Sequence, residues 1–132
     1  MRLITDDRLA TITIWQEARN QSQSGKIAIG EVIRRRAALK YNSDGTIAGT
    51  VARRYQFSGW NTDDPNRIPS LALDDSDPIV HDCMTAWYKS EHTNITNGAV
   101  LYCNLAALKK RPTWARDDKQ VAVIDDHTFF VD

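Results

Sequence analysis

One acidic residue is placed to do acid chemistry, because its neighbours along a predicted helix are apolar. Ala10 and Ile14 precede Glu17 by seven and three residues, spacings that put all three on one face of an α-helix. A carboxyl against apolar groups loses hydration, which disfavours its charged form and raises its pKa. A glutamic acid that stays protonated near neutral pH can act as a general acid. Position alone favours an ordinary helix-end glutamate with its carboxyl in water.

Two helices must position this carboxyl. Asp6 or Asp7 can cap the first helix, and Ser22 or Ser24 can cap the second after a polar turn over residues 20–25. In the second helix, four apolar residues recur at helical spacing and are expected to face the core: Ile29, Val32, Ile33 and Ala37. Glu31 in the same helix is interpreted as a surface or ion-pair residue.

Further elements follow along the chain. A short helix over 47–55 precedes a loop that runs to Pro69, and Ser76-Asp77-Pro78 is typical of another helix start. The core stripe predicted for that helix is Ile79, Cys83, Ala86 and Trp87. Residues 99–102 indicate a buried strand, and Asn104 can cap a short turn after it.

The C-terminal residues predict a β-hairpin. Gln120–Ile124 and His127–Val131 are β-rich runs on either side of Asp125-Asp126. The chain is therefore expected to be one α+β domain over residues 1–132, with three or four helices and a small antiparallel sheet. Lysozyme-like and lytic-transglycosylase domains share that broad plan.

Composition narrows the possible partners. The 132 residues carry 17 basic and 17 acidic side chains, so global charge gives no reason to expect nucleic acid or an anionic membrane as partner. Cys83 and Cys103 are interpreted as buried free thiols. No run is long and apolar enough for a membrane span or a signal peptide, so we expect synthesis in the cytoplasm without an export signal.

An ordered set of motifs resembles one family. Glu17-Ala18-Arg19, then Gly25, an Ile27–Ile33 helix and Arg35-Arg36 resemble the opening motif of the SleB-type cell wall hydrolases, which include spore cortex-lytic enzymes and small phage lysins. Shorter blocks follow in the same order: Gln56-Phe57-Ser58 with Trp60, Gly98-Ala99 leading to Tyr102 and Asn104, and His127 before Phe129-Phe130. The chain departs from the family at Asn20, where glycine is usual, and at Cys103, where a second aromatic is common.

The resemblance implies an enzyme that attacks the glycan strand of peptidoglycan, with Glu17 as the catalytic acid. The residues that it implies for substrate binding are Gln56, Phe57, Ser58, Trp60, Tyr102, Asn104 and His127. Several also have plain structural interpretations: Trp60 and Tyr102 as core residues, Asn104 as a cap, and His127 as a sheet residue. Arg34 to Arg36 fit either a solvated helix end or a rim that binds the peptide carboxylates of the wall.

The resemblance favours a lytic transglycosylase, in which one carboxyl serves as acid and then as base. A muramidase would need a second carboxylate near Glu17, and the aspartates available are Asp63, Asp64, Asp125 and Asp126. A zinc amidase is disfavoured, because His81, Cys83, His92 and Cys103 lack metal-ligand spacing. A wall-binding module without catalysis stays open. We expect a monomer that needs no metal or other cofactor, and a phage lysin released to the wall through a separate pore.

Overall fold

The computed structural model describes residues 4–53 and 56–132, and its elements confirm the predicted α+β class. The described helices are α1 (Asp6–Ala18), α2 (Gln23–Leu39), α3 (Ile47–Val51), α4 (Arg67–Leu71) and α5 (Pro78–Ser90). The strands are β1 (Leu101–Cys103), β2 (Gln120–Ile124) and β3 (His127–Phe130). Five helices exceed the predicted three or four because α4 forms within a segment predicted as loop. No helix among the described residues combines the length and apolar character needed to cross a bilayer.

Side-chain caps set where the helices begin. Thr5, and not Asp6 or Asp7, caps α1 by accepting a 3.2 Å hydrogen bond from the Arg8 amide. Ser22 caps α2, so this helix begins at Gln23 and the predicted turn over 20–25 is shorter than expected. Asp77 caps α5 as predicted. The end predicted for the short helix, at Tyr55, lies outside the described residues.

The main core lies where α1, α2 and α5 pack together. The four apolar residues predicted to face inward from α2 are all buried. In α5 the prediction that Ile79 faces the core was wrong, because Ile79 is 42% exposed and Val80 is buried instead. Helical spacing alone does not separate the two residues, because Ile79 precedes Cys83 by four residues and Val80 precedes it by three. A Cβ at Gly30 would lie 2.7 Å from the Ser90 hydroxyl, which is why α2 and α5 can approach closely there.

The predicted hairpin is confirmed, and it forms most of the sheet. Strand β3 lies in the middle, in the order β1-β3-β2, with both neighbours antiparallel to it. Tyr102 of β1 pairs with Phe129 of β3. The hairpin turns at Asp125, whose φ of 51° is in the left-handed region that aspartate tolerates better than most residues.

The tip of this hairpin is docked on the first turn of α2. The Asp125 carboxylate accepts hydrogen bonds from the Ser22 amide (2.8 Å) and hydroxyl (2.6 Å). Gln21 donates to Asp126 at 3.0 Å. A Cβ at Gly25 would lie 2.5 Å from the Asp125 carboxylate, so this position has room only for glycine.

Glu31, interpreted from the sequence as a surface or ion-pair residue, is not at the surface but does lie 3.9 Å from the Arg35 guanidinium. Its side chain is 1% exposed and accepts hydrogen bonds from the Thr93 hydroxyl (2.5 Å), the Ile95 amide (2.9 Å), and the amide (3.0 Å) and hydroxyl (2.6 Å) of Thr96. Burial raises the pKa of Glu31, but these bonds outweigh burial and leave its pKa below the ordinary value. One ionised carboxylate thus fixes the connection between α5 and β1 onto α2.

Replacing Glu31 by glutamine should destabilise the fold. The amide nitrogen cannot accept, so two donors lose their partner, at a cost of about 3 kcal/mol in free energy of unfolding. Since the pKa of Glu31 is lowered in the folded state, the difference between parent and variant should shrink as pH falls through that pKa. Urea unfolding at neutral and acidic pH measures both effects. Glu91→Gln, at an exposed position, is the control and should change stability little; an equal loss in both variants would contradict the prediction.

Candidate active site around Glu17

Glu17 lies in the last turn of α1, and its carboxyl contacts a side chain from the sheet. Tyr102 donates a 2.6 Å hydrogen bond from its hydroxyl to Glu17 Oε1. Glu17 is partly buried and keeps some exposed surface, which an acid acting on a large substrate requires. Two elements far apart in the sequence therefore meet at this carboxyl.

The surroundings of Glu17 shift its proton equilibrium toward the protonated form. Loss of hydration raises the pKa of Glu17, the Tyr102 hydrogen bond and the Arg36 charge oppose the rise, and Asp64 adds to it. The net pKa is above the ordinary value of glutamic acid. The prediction of a raised pKa thus agrees with the geometry. Burial is not the whole cause of the rise, since the Asp64 charge adds to it.

Tyr102 is held from several sides. Its ring centroid lies 5.6 Å from that of Phe129, 6.5 Å from that of Phe57, and 5.1 Å from that of His127, which meets it edge-on at 74°. Burial and the nearby Glu17 carboxyl raise the pKa of Tyr102 well above its ordinary value. The phenol therefore stays protonated and acts as a fixed donor to Glu17.

His127 lies beside this pair and is neutral at neutral pH. Burial lowers its pKa, although Asp126 and Asp125 oppose the change. Its Nδ1 is buried and has no hydrogen-bond partner among the described residues. The ring packs against Tyr102 and Phe129, so its described contacts fit the structural interpretation. A direct contact with substrate stays a prediction.

The loop residues implied for substrate binding lie in different environments. Phe57 has no exposed surface and belongs to the main core, so the prediction that it touches substrate is wrong in this conformation; an apolar ring is more stable packed than exposed. Trp60 is partly buried, and its indole N–H donates to Thr13 at 2.8 Å, one helical turn before Glu17. Gln56 accepts a 3.3 Å hydrogen bond from Asn42, and Ser58 is exposed.

Asn104 acts as a helix cap. Its side chain accepts a 3.3 Å hydrogen bond from the Ala107 amide and so begins the short turn after β1, as the structural interpretation of this residue predicts. The structure brings together Glu17, Tyr102 and His127. Trp60 contacts α1 at Thr13, one helical turn before Glu17. The structure gives Asn104 and Gln56 other hydrogen-bond partners, Ala107 and Asn42.

Arg36 belongs to this site, although the sequence suggests a solvated helix end or a substrate-binding rim. Its side chain is 4% exposed, with Nε donating to the Val100 carbonyl at 2.6 Å. The helical period contains the signal that would have identified it: Arg36 follows Ile29 by seven residues and Val32 by four, so it shares their buried face. Its two neighbours also bind backbone carbonyls, Arg34 that of Trp87 and Arg35 that of Ala99.

Of the four aspartates considered as a second carboxylate, Asp64 is the one whose charge acts on Glu17. Asp64 is partly buried, and its side chain accepts a 2.8 Å hydrogen bond from the Asn66 amide. Asp125 and Asp126 are bound to the start of α2. Asp63 is exposed.

No cluster of three or more metal-ligating side chains occurs within residues 4–53 and 56–132. Cys83 is buried as predicted, whereas Cys103 is only partly buried. Burial raises the pKa of the Cys83 thiol to about 12, which leaves it unreactive as a nucleophile. The four residues weighed as zinc ligands, His81, Cys83, His92 and Cys103, therefore form no such cluster among the described residues.

Comparison with known proteins gives a family and a fold. The cell wall hydrolase family model matches residues 20–130, beginning just after Glu17. The catalytic domain of the germination-specific lytic transglycosylase SleB from Bacillus anthracis superposes with a TM-score of 0.75 at 18% identity, over 95% of this chain and 93% of that one. The catalytic domain of the Bacillus cereus SleB protein gives 0.74 at 19%, over 95% and 88%. No curated protein matches. The predicted family and fold are confirmed.

Glu17→Gln should make the protein more stable at neutral pH. The pKa of Glu17 is raised in the folded state, so its contribution to stability is present at low pH and is lost as pH rises through that pKa. The amide oxygen of glutamine can still accept from Tyr102 without carrying a charge. We expect equal melting temperatures at acidic pH and a higher one for the variant at neutral and alkaline pH. Thermal unfolding across pH tests this, and a variant that melts lower at every pH would contradict it.

Proposed function

The chain belongs to the cell wall hydrolase family, and we propose that it cleaves the glycan strand of peptidoglycan as a lytic transglycosylase with Glu17 as general acid and then base. The family membership supports the wall as substrate. The similar fold of a lytic transglycosylase catalytic domain supports the reaction type. The family match covers residues 20–130 and so does not include Glu17. The role of Glu17 is therefore part of the proposal.

The observation that carries the proposal is the hydrogen-bonded, poorly hydrated carboxyl of Glu17. A general acid must hold a proton near neutral pH and remain reachable by the leaving group. The upward shift of the Glu17 pKa favours the first requirement, and its partial exposure meets the second. Tyr102 holds Oε1, which leaves the other carboxyl oxygen to carry the proton and face the sugar.

In the proposed reaction the Glu17 proton moves to the glycosidic oxygen, and the bond from that oxygen to C1 of the muramic acid residue breaks. Positive charge develops at C1 and on the ring oxygen. The C6 hydroxyl of the same sugar attacks C1, and its proton passes to the Glu17 carboxylate. The products are a 1,6-anhydro sugar and a free 4-hydroxyl on the leaving sugar. Water is not consumed, and Glu17 ends the cycle protonated as it began.

A second reaction has one observation in its favour. The Asp64 carboxylate acts electrostatically on Glu17, so a muramidase that uses Asp64 as the second carboxylate is the alternative. A two-carboxylate hydrolase needs its second group to activate water or trap C1. Asp64 already accepts from a backbone amide in its own turn, an arrangement typical of local turn formation. We therefore favour the single-carboxyl route.

The place where the enzyme works in the cell stays a prediction from the sequence. The family resemblance includes small phage lysins, and we propose that role for this chain as well. Peptidoglycan is the proposed substrate whether or not the enzyme is a phage lysin, so the chemistry at Glu17 can be tested on purified walls.

Glu17→Gln should abolish wall degradation, because the amide has no proton to give at the pH of the reaction. We expect a loss of at least about 100-fold, the scale of a general acid's contribution. The rate of turbidity loss of a wall suspension measures it, and mass spectrometry of the parent's products identifies the bond chemistry. Anhydro ends support the transglycosylase; products that carry only reducing ends would refute it. Lysis by the variant at the parent rate would remove Glu17 from catalysis.

Asp64→Asn separates the two reactions. Under the single-carboxyl route the variant keeps most of its activity. The activity limit on the alkaline side should move to lower pH, since a charge that raises the pKa of Glu17 has been removed. A muramidase would instead lose activity at every pH. The pH profile of wall degradation distinguishes these results, and Asp63→Asn in the same loop is the matched control.

A further inference from the structure

We propose that Arg36 is a positioning residue that holds β1 in register for Tyr102 to reach Glu17 and that stabilises the Glu17 carboxylate formed when the proton leaves. The proposal rests on the proposed function of Glu17 and assigns a role to a buried cation for which packing alone gives no reason. This role differs from the substrate-binding rim that the sequence suggests for Arg36, because the guanidinium is buried inside the protein.

The contacts of Arg36 lead to Tyr102 by two paths. Through the backbone, its Nε binds the Val100 carbonyl at 2.6 Å, and Val100 precedes Tyr102 by two residues. Through side chains, its Cζ lies 5.1 Å from the centroid of the Phe57 ring, which in turn packs against Tyr102. A shift of Arg36 would therefore move the strand and the ring that fix the phenol.

The charge of Arg36 is not neutralised by an ordinary ion pair. Among the described residues no carboxylate lies within 4.0 Å of its guanidinium, and its buried Nη1 has no hydrogen-bond partner there. Burial lowers the pKa of Arg36, while Tyr102, Tyr41 and Glu17 act in the opposite direction. A buried cation without a paired anion is costly. Its cost falls when Glu17 becomes negative.

That change coincides with the first step of the reaction. Once Glu17 has given its proton to the leaving oxygen, its carboxylate lies in a poorly hydrated site. A fixed cation and a fixed phenol O–H stabilise this state without rearranging, which is how preorganised groups lower a barrier. Tyr102 from β1 donates to Glu17, and the charges of Arg36 from α2 and of Asp64 from the loop before α4 act on it; of these three, Asp64 opposes the other two.

Arg35 provides a matched control. It is the preceding residue on α2, and it too donates to a backbone carbonyl of the same segment, that of Ala99 at 2.5 Å. Its charge acts on Glu31 and not on Glu17. Arg35→Gln and Arg36→Gln therefore each weaken the attachment of the segment before β1, but only the second removes a cation that faces the proposed acid.

The experiment compares Arg36→Gln, Arg36→Lys and Arg35→Gln with the parent. The alkaline limb of the pH–rate profile on purified walls reports loss of the Glu17 proton, and carboxyl-carbon NMR reports its titration directly. We expect Arg36→Gln to lower the maximal rate and to move both the limb and the titration to higher pH, because the ionised form has lost its cation. Arg36→Lys should restore both positions to those of the parent. Arg35→Gln should leave both unchanged, whatever it does to stability.

An unshifted Glu17 titration in Arg36→Gln, or an equal shift in Arg35→Gln, would overturn the proposal. If Arg36→Gln does not fold, Arg36→Lys and Arg36→Met take its place, and a Glu17 titration that is the same in both overturns it. The NMR measurement needs no catalysis. If the Glu17→Gln variant still degrades walls at the parent rate, the proposed function is refuted. The proposal for Arg36 is then judged by the Glu17 titration in the Arg36 variants alone.

Discussion

The hydrogen bond from Tyr102 to Glu17 joins residues 85 positions apart, and the candidate active site depends on it. One partner ends a helix and the other lies in a three-residue strand. The core between α1, α2 and α5 fixes the helix, and β3 with its aromatic residues fixes the strand. The raised pKa of the carboxyl comes from its burial and from the Asp64 charge, while the Tyr102 hydrogen bond opposes the rise and fixes the position of the group.

Most of the side-chain hydrogen bonds that hold the segment before β1 come from one helix, α2. The chain between α5 and β1 has no regular structure, so its backbone groups need partners from elsewhere. Glu31 supplies acceptors, and three consecutive arginines supply donors to carbonyls of residues 87–100. Buried charges are costly unless they are well bonded. Here they replace the hydrogen bonds that a longer strand would have provided, and they specify one path for the chain into the site.

The sequence predicts the parts of this structure that rest on local pattern. The caps of α2 and α5, the apolar face of α2 and the hairpin around Asp125 follow from spacing and residue type, and the family resemblance agrees with the comparisons. Sequence pattern fails to predict burial where contacts between residues far apart in the chain determine it. Glu31 and Arg36 have charges typical of a surface, and they are buried because distant backbone groups bind them. Phe57 belongs to a motif block, yet burial of its ring outweighs any use at the surface.

The docked hairpin tip has a practical consequence for anyone who modifies this enzyme. A tight turn between two strands is usually a tolerant place for an inserted tag, label or affinity module. In this chain the turn residues Asp125 and Asp126 are bound to Ser22 and Gln21, and Gly25 leaves the space for that contact. An insertion there would free the start of α2 and the strand that carries His127. A fusion partner therefore belongs elsewhere on the molecule.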